Sequence, residues 1–519
     1  MIRTLKAALV LVAAGLAAPP LASAAVITWL GNTSTSFNAG ANWSGGTAPA
    51  TGNTSIFNAG STYQPSVTAS ISAGGLDFMT GGWNLGGTSV LTLTKAYGIN
   101  CEAGSNTISV STLQLAAGSN QTWTVASGAQ LTISSTSIKN SGGATTLTKA
   151  GAGTLVLNSP IALGGDFFIN DGTVQAGVNN VYTGPATISS GGTLDYYGFS
   201  NTIASASYMN LAGGTVKTGA GTLTLSYAGT VITSTNSATK GLISGKIALT
   251  GGNSQRTISV MDGAANVDLE INAVISSSNT LIGLIKTGSG VLKLSGANTY
   301  QGNTNVNGGT LLVDGSHLNS GAAANGYIVS DSTNAATLGG IGSFKLSTSA
   351  SKLTVNNAGI LAPGTIADGG THTTGILTVD GLSQTTGQTV TMTNGSTFKV
   401  HLNGYAAGSD FDQLKLASST GNVTINLGGS TLDAILGYKP TSTHSFIIID
   451  NDGADAIVGT FNGLVEGAHF NLSYNSNNYD TIISYVGGTG NDVVLTVPEP
   501  ASMAMLGLGG LLLLRRRKD

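Results

Sequence analysis

A glycine followed by a small or β-branched residue and then an aliphatic one returns through the middle of the chain at a nearly constant interval. Gly153-Thr154-Leu155 is followed by Gly172-Thr173-Val174, Gly192-Thr193-Leu194 and Gly214-Thr215-Val216. The steps between these glycines are 19, 20 and 22 residues, and Gly290-Val291-Leu292 leads after 19 more to Gly309-Thr310-Leu311. A period near 20 suits one coil of a β-solenoid. Between the glycines the alternation is strand-like, as in Thr222-Leu223-Thr224-Leu225, with apolar residues at every second position. Runs such as Asn307-Gly308-Gly309 supply the positive-φ residues that sharp corners need. One such coil cannot bury its apolar side alone. Stacked coils place Leu and Val in ladders along a dry interior, each backbone pairing with its neighbours at ~4.8 Å. The expected fold is all-β: a right-handed parallel β-helix of ~20-residue coils, with almost no helix between the two ends of the chain. Wound entirely in such coils, the ~470 exported residues would make a rod roughly 110 Å long.

Composition supports an ordered array. Of 519 residues only 8% are charged and 41% are apolar, with 76 glycines and 10 prolines. Recurrent apolar triplets such as Leu155-Val156-Leu157 are burial signals that disordered chains lack. The formal net charge is -3. Setting aside Arg3, Lys6, Arg515 to Lys518 and Asp519 leaves 14 basic and 22 acidic residues in the body. An acidic body without a basic face excludes nucleic acid as a partner. The lone Cys101 can form no internal disulfide, so the coils must hold together by hydrogen bonding and packing. It is expected to be buried and inert.

Both ends read as targeting devices. Arg3 and Lys6 precede an apolar run from Ala7 to Ala18, and Ala22-Ser23-Ala24 offers a small-x-small cleavage site. Residues 1–24 are therefore expected to be a secretory signal peptide, cut after Ala24. At the other end, Val497-Pro498-Glu499-Pro500 precedes an apolar run from Ala501 to Leu514 and the cluster Arg515-Arg516-Arg517-Lys518. Fourteen apolar residues make a short membrane helix, and the basic cluster should stay on the cytoplasmic side. Residues 498–519 closely resemble the PEP-CTERM sorting signal of Gram-negative bacteria. The resemblance implies transient anchoring in the inner membrane and cleavage by an exosortase-type enzyme. Pro498, Glu499, Pro500, Arg515, Arg516 and Arg517 would be the recognised residues. The chain would then pass to the cell envelope, the cell surface or the medium.

The fullest repeat unit runs from Leu284 to Gly302. It contains Lys286-Thr287-Gly288-Ser289-Gly290-Val291-Leu292-Lys293-Leu294 and Asn298-Thr299-Tyr300-Gln301-Gly302. It looks like the autotransporter-associated β-strand repeat. Degenerate copies begin at Leu147-Thr148-Lys149-Ala150-Gly151-Ala152-Gly153 and at Val216-Lys217-Thr218-Gly219-Ala220-Gly221. Later segments resemble the C-terminal passenger part of the same proteins: Leu338-Gly339-Gly340-Ile341-Gly342, Leu361-Ala362-Pro363-Gly364, Asp410-Phe411-Asp412-Gln413-Leu414 and Gly490-Asn491-Asp492-Val493-Val494-Leu495. The usual Ser-Pro-Gly after the Ala-Pro-Gly is absent. With no translocator barrel in view, a self-transporting protein is not expected. The expected division is 1–24 signal peptide, 25–145 N-terminal β region, 146–340 repeat array, 341–497 passenger-like region and 498–519 sorting signal. Residues 25–145 hold all four tryptophans, Trp29, Trp43, Trp83 and Trp123. They are read as a cap that plugs the open end. Trp29 and Trp43 are the candidates for stacking on a sugar.

Catalytic chemistry is sparse, and no catalytic, cofactor or metal residue is expected. The five histidines, His317, His372, His401, His444 and His469, lack ligand spacing. Asp410 and Asp412, two apart on a strand, would face one way and could be a catalytic or metal pair. Their place in the passenger motif favours a turn. Asp450-Asn451-Asp452-Gly453-Ala454-Asp455 and the stretch from Gly487 to Leu495 resemble fragments of calcium loops, which makes calcium the one ion to consider. Three functions are open: a structural protein of the envelope or matrix, with exopolysaccharide as its surroundings; a carbohydrate-binding protein or adhesin using the tryptophans; and a polysaccharide lyase or hydrolase on the solenoid face.

Overall fold

The computed structural model describes residues 25–498, apart from 205–207, 319–325, 347, 349, 382–387, 419–422, 442, 452 and 454. Ala22 and Ala24 of the expected signal peptide lie outside the described residues. So do Glu499, Pro500, the terminal apolar run and Arg515 to Arg517; Pro498 is the last residue described. Among the described residues the sole helical element is a 3-10 turn at Gly40–Asn42, and no helix is long and apolar enough to cross a membrane.

The chain winds into a parallel β-solenoid with three strand ladders. The first runs from Val26–Thr28 through Gln121–Val125, Thr145–Ala150 and Leu284–Thr287 to Val423–Asn426, a stack of seventeen strands paired in parallel throughout. The second contains the recurrent triplets, and they stack in register as the period requires. Thr154 pairs with Thr173, Thr173 with Thr193 and Thr193 with Thr215. Inside this column Leu155, Val174, Leu194, Val216, Ile243, Ile271 and Leu294 follow one another at 0 to 2% exposure. Each such side chain is worth about 1.5–3 kcal/mol of burial. The threonines face outward on the same strands, half-buried.

The expected period holds in only part of the array. Leu147 pairs with Phe167 and Phe167 with Ala186, coils of 20 and 19 residues. Elsewhere the corners take up more chain: Thr257 pairs with Ile285, and Leu353 with Val390. Longer coils mean fewer coils, so sixteen steps of ~4.8 Å make a first ladder of roughly 75–80 Å, shorter than the length expected from the sequence.

The Lys-x-Gly-x-Gly element is a corner. Lys149 and Lys286 are 0 and 1% exposed. Lys149 Nζ donates to the carbonyls of Ala150, Gly151 and, one coil on, Asp171 at 3.0, 2.6 and 3.0 Å. Lys286 Nζ donates to Gly288 and Gly308 at 2.7 and 2.9 Å. Each lysine staples two successive corners, and burial pushes both ammonium groups down to about 8. The first glycine is required by its backbone, φ +73° at Gly151 and +79° at Gly288. The second is required by contact: a Cβ on Gly153 or Gly290 would stand 2.2 Å from Ala126 O or 2.5 Å from Met261 O. In the copy at Val216 the same motif lies on the second ladder rather than the first, one face of the coil out of phase. Lys217 is accordingly exposed there.

Both ends of the interior are closed. Trp29 and Trp43 pack edge to face at 5.1 Å, with Phe37, Phe57, Phe78 and Trp83 continuing the cluster inward. Trp29 Nε1 donates to Tyr63 O and Trp43 Nε1 to Phe37 O. The buried Asn42 side chain ties down the loop between them through Thr33, Ser34 and Ser36. At the far end the third ladder passes into antiparallel strands, His444–Asp450 with Asp492–Val497, Asn477–Gly487 and His469–Tyr474. These strands pair with the last parallel edge, which would otherwise template association.

Candidate functional site

Between Gly359–Pro363 and Ile376–Gly381 the chain leaves the coil path and forms an antiparallel hairpin, Thr365–Ile366 against His372–Thr373. The Ala362-Pro363-Gly364 corner starts it. Gly364 and Gly340 exchange backbone hydrogen bonds of 2.7 and 3.0 Å, so the hairpin runs back over coils already laid down. Thr365 Oγ1 donates to Asp314 at 2.6 Å, and Lys293 Nζ bridges Asp314 at 2.9 Å and the Ile366 carbonyl at 3.2 Å. At the tip, Lys240 joins Asp368 at 2.9 Å and Glu270 at 2.6 Å, while Asn266 donates to the Asp368 carbonyl. The second ladder takes five steps from Gly359–Pro363 back to the coil following Lys240. The hairpin is thus a strap lying along roughly 20–25 Å of the rod.

The return arm brings His372 to Asp412. His372 Nε2 and His401 Nδ1 lie 2.9 and 3.1 Å from Asp412 Oδ2, which also accepts from the His401 backbone N–H at 2.8 Å. Asp412 Oδ1 accepts from Gly375 N–H at 3.0 Å. The two imidazoles stack with centroids 3.7 Å apart. Asp412 is fully buried, whereas the histidine side chains are 27 and 21% exposed. Burial alone would push the Asp412 carboxyl up; hydrogen bonds from His372 and His401 outweigh it and hold the group below its ordinary value. Gly364 makes the cluster possible: at φ +98°, a Cβ there would stand 2.5 Å from both Asp412 Oδ1 and His372 Cε1. Among the described residues this is the one group of three side chains whose ligating atoms all lie within 4.8 Å of one another.

Asp410 and Asp412 do not act as a pair. Asp410 accepts from the backbone N–H groups of Tyr405 and Ala406, the turn role of an aspartate. Asp412 serves the histidines. Trp29 and Trp43 are 2 and 1% exposed. Neither indole has a free face for a sugar; both rings pack into the aromatic cluster. Cys101 is buried, and burial pushes its thiol up. The two fragments resembling calcium loops come together: Asn451 N–H donates to Asp492 Oδ1 at 2.9 Å, and Asn491 Nδ2 reaches the carbonyls of Gly453 and Asp455. Asp452 lies outside the described residues. Residue spacing could not reveal the His372, His401 and Asp412 cluster, because its members stand 29 and 11 positions apart and converge through a loop excursion.

Comparison with known proteins agrees with the ladder and the tail. The passenger-associated-transport-repeat model matches residues 147–176, 176–195, 216–234 and 284–313. The PEP-CTERM protein-sorting motif matches residues 496–518. Over 180 residues the chain is 33% identical to the adhesin BmaC autotransporter of Brucella suis biovar 1 (strain 1330), a span of 34% of this chain and 5% of that protein. No solved structure matches. The chain is an exported β-solenoid that carries passenger-associated transport repeats in its body and a PEP-CTERM sorting motif at its C-terminal end.

Proposed function

We propose that the chain is a structural rod of the cell envelope or extracellular matrix, delivered by an exosortase-type enzyme and without catalytic activity. The observation that carries this reading is the continuous first ladder of seventeen parallel strands, in a solenoid plugged by aromatics at one end and with its third ladder closed by antiparallel strands at the other. The outer face of the second ladder carries a column of short hydroxyl side chains, Thr154, Thr173, Thr193 and Thr215. Such a face suits contact with hydrated exopolysaccharide. Adhesion is the second reading, and it is favoured by the similarity to a protein described as an adhesin. If it applies, the contact surface is the threonine-lined flank, because Trp29 and Trp43 are enclosed. A lyase or hydrolase would need an acid and a base beside a substrate groove. Asp410 and Asp412 hold backbone and histidine groups instead.

Mass spectrometry of the mature protein from a host with and without its exosortase tests the delivery route. The tail beyond Pro498 should be lost only when that enzyme is present. Retention of Arg515 to Asp519 in both hosts would make the tail a permanent anchor and end the proposal.

A further inference from the structure

We propose that His372, His401 and Asp412 bind a divalent transition-metal ion of the zinc class, which clips the return arm of the strap to the rod. The donors are His372 Nε2, His401 Nδ1 and Asp412 Oδ2, all mutually within 4.8 Å. A tetrahedral zinc ion with bonds near 2.0–2.1 Å holds its ligand atoms about 3.3 Å apart. The present separations from Asp412 Oδ2 are 2.9 and 3.1 Å, near that value, and the two ring nitrogens lie within 4.8 Å of each other; the stacked rings turn to aim both at one ion. Each imidazole that now points an N–H at the carboxylate presents that nitrogen's lone pair to the metal once its proton has moved to the other ring nitrogen or, where that nitrogen already carries one, to solvent. The partial exposure of the two rings leaves the fourth position open to water.

Three features favour a metal over a plain hydrogen-bonded cluster. Asp412 is fully buried, and a divalent ion beside it offsets the cost of burying its carboxylate. The carboxylate is already oriented from behind by Gly375 N–H and His401 N–H at 3.0 and 2.8 Å, the outer support that ligating carboxylates have. Two nitrogens and one oxygen select zinc, copper or nickel over calcium or magnesium, which prefer all-oxygen sites. The consequence is mechanical. Strap and rod are otherwise joined by hydrogen bonds and by partly exposed ion pairs, Lys240 with Asp368 and Lys293 with Asp314. A metal at His372 would hold the arm at its base.

Calorimetric titration of the purified full chain with zinc sulfate and, separately, calcium chloride tests the site. One zinc per chain should bind with a dissociation constant of micromolar or below, and calcium should not compete. His372→Gln and His401→Gln should each weaken zinc by at least about ten-fold, since each removes one of three protein donors. Cobalt in place of zinc should give the intense visible absorption of a tetrahedral site with nitrogen donors, a readout that needs no variant. Zinc should also slow hydrogen exchange at residues 364–375 in the unaltered chain but not in His372→Gln. Absence of stoichiometric zinc binding, binding unchanged in both histidine variants, or an octahedral cobalt spectrum would each overturn the proposal.

Discussion

Lys240 and Asp368 are separated by 128 residues of chain, yet the lysine Nζ stands 2.9 Å from the aspartate Oδ1. In a solenoid nearly all contacts join neighbouring coils, so a pair this remote means that one segment runs along the rod axis. Lys240 closes the tip of the strap by joining Asp368 to Glu270, while Asp314 and Lys293 hold its stem.

Loss of the tip contact should free the strap without disturbing the coils. Lys240→Met is expected to speed hydrogen exchange and proteolysis at 367–371 several-fold. The far-ultraviolet dichroism should stay unchanged, because a partly exposed pair contributes about 1 kcal/mol or less.

The same contact should open in acid. Burial pushes Glu270 up, but hydrogen bonds from Lys240 and Ser295 prevail and hold it below its ordinary value; the Lys240 hydrogen bond lowers Asp368. A carboxyl whose folded value is depressed contributes its stability above the unfolded value and loses it as pH falls through the folded one. Protection at 367–371, taken as exchange relative to the intrinsic rate at each pH, should therefore be high at neutral pH and fall below about pH 4. Protection that is flat from pH 7 to 3 would show that the carboxylates do not hold the tip.

The corner lysines predict a further rise of stability with pH in the alkaline range. Lys149 and Lys286 titrate near 8 in the folded chain and near 10.4 when unfolded. Between those values the unfolded state binds more protons, so stability rises with pH. The denaturation midpoint should increase from pH 8 to about pH 10. In Lys286→Met the increase should be smaller, and at pH 7 the loss of two carbonyl partners should cost about 1–3 kcal/mol.

Two glycines separate backbone strain from contact. Gly288 and Gly252 both have positive φ, +79° and +66°. A Cβ on Gly288 would meet Val260 O at 2.2 Å, whereas nothing lies within 4 Å of one on Gly252. Gly252→Ala should cost about 1 kcal/mol, from φ alone. Gly288→Ala should cost about 2–4 kcal/mol, because the corner must also move away from the coil beneath. Equal denaturant midpoints for the two variants would refute the close-approach reading.

The aromatic plug gives the last prediction. Trp43 is 1% exposed at the centre of the N-terminal cluster, so Trp43→Ala should cost about 3–5 kcal/mol. The wild-type indoles are enclosed, so soluble polysaccharides should leave tryptophan emission unchanged. A saturable shift that disappears in Trp29→Phe would return the sugar-stacking reading to consideration.

Much of this molecule is a consequence of local sequence. The triplets from Gly153 to Gly214 predicted which residues stack, because a repeating coil brings equivalent positions into register with no other information needed. The two glycines of Lys149-Ala150-Gly151-Ala152-Gly153 marked a corner by their conformational demands. The expectation of large apolar groups at an open coil end also came from local sequence, while which tryptophans meet there, Trp29, Trp43 and Trp83 but not Trp123, came from the fold. Other features depend on where the chain goes after leaving the coil. A motif fixes its own corner but not the ladder on which it falls, and so Lys217 stands exposed while Lys149 is enclosed. Coil length at Leu353 and Val390 follows from a hairpin that no period announces. His372, His401 and Asp412 meet because that hairpin turns back across the rod, and a contact made by such a fold-back leaves no spacing in the sequence.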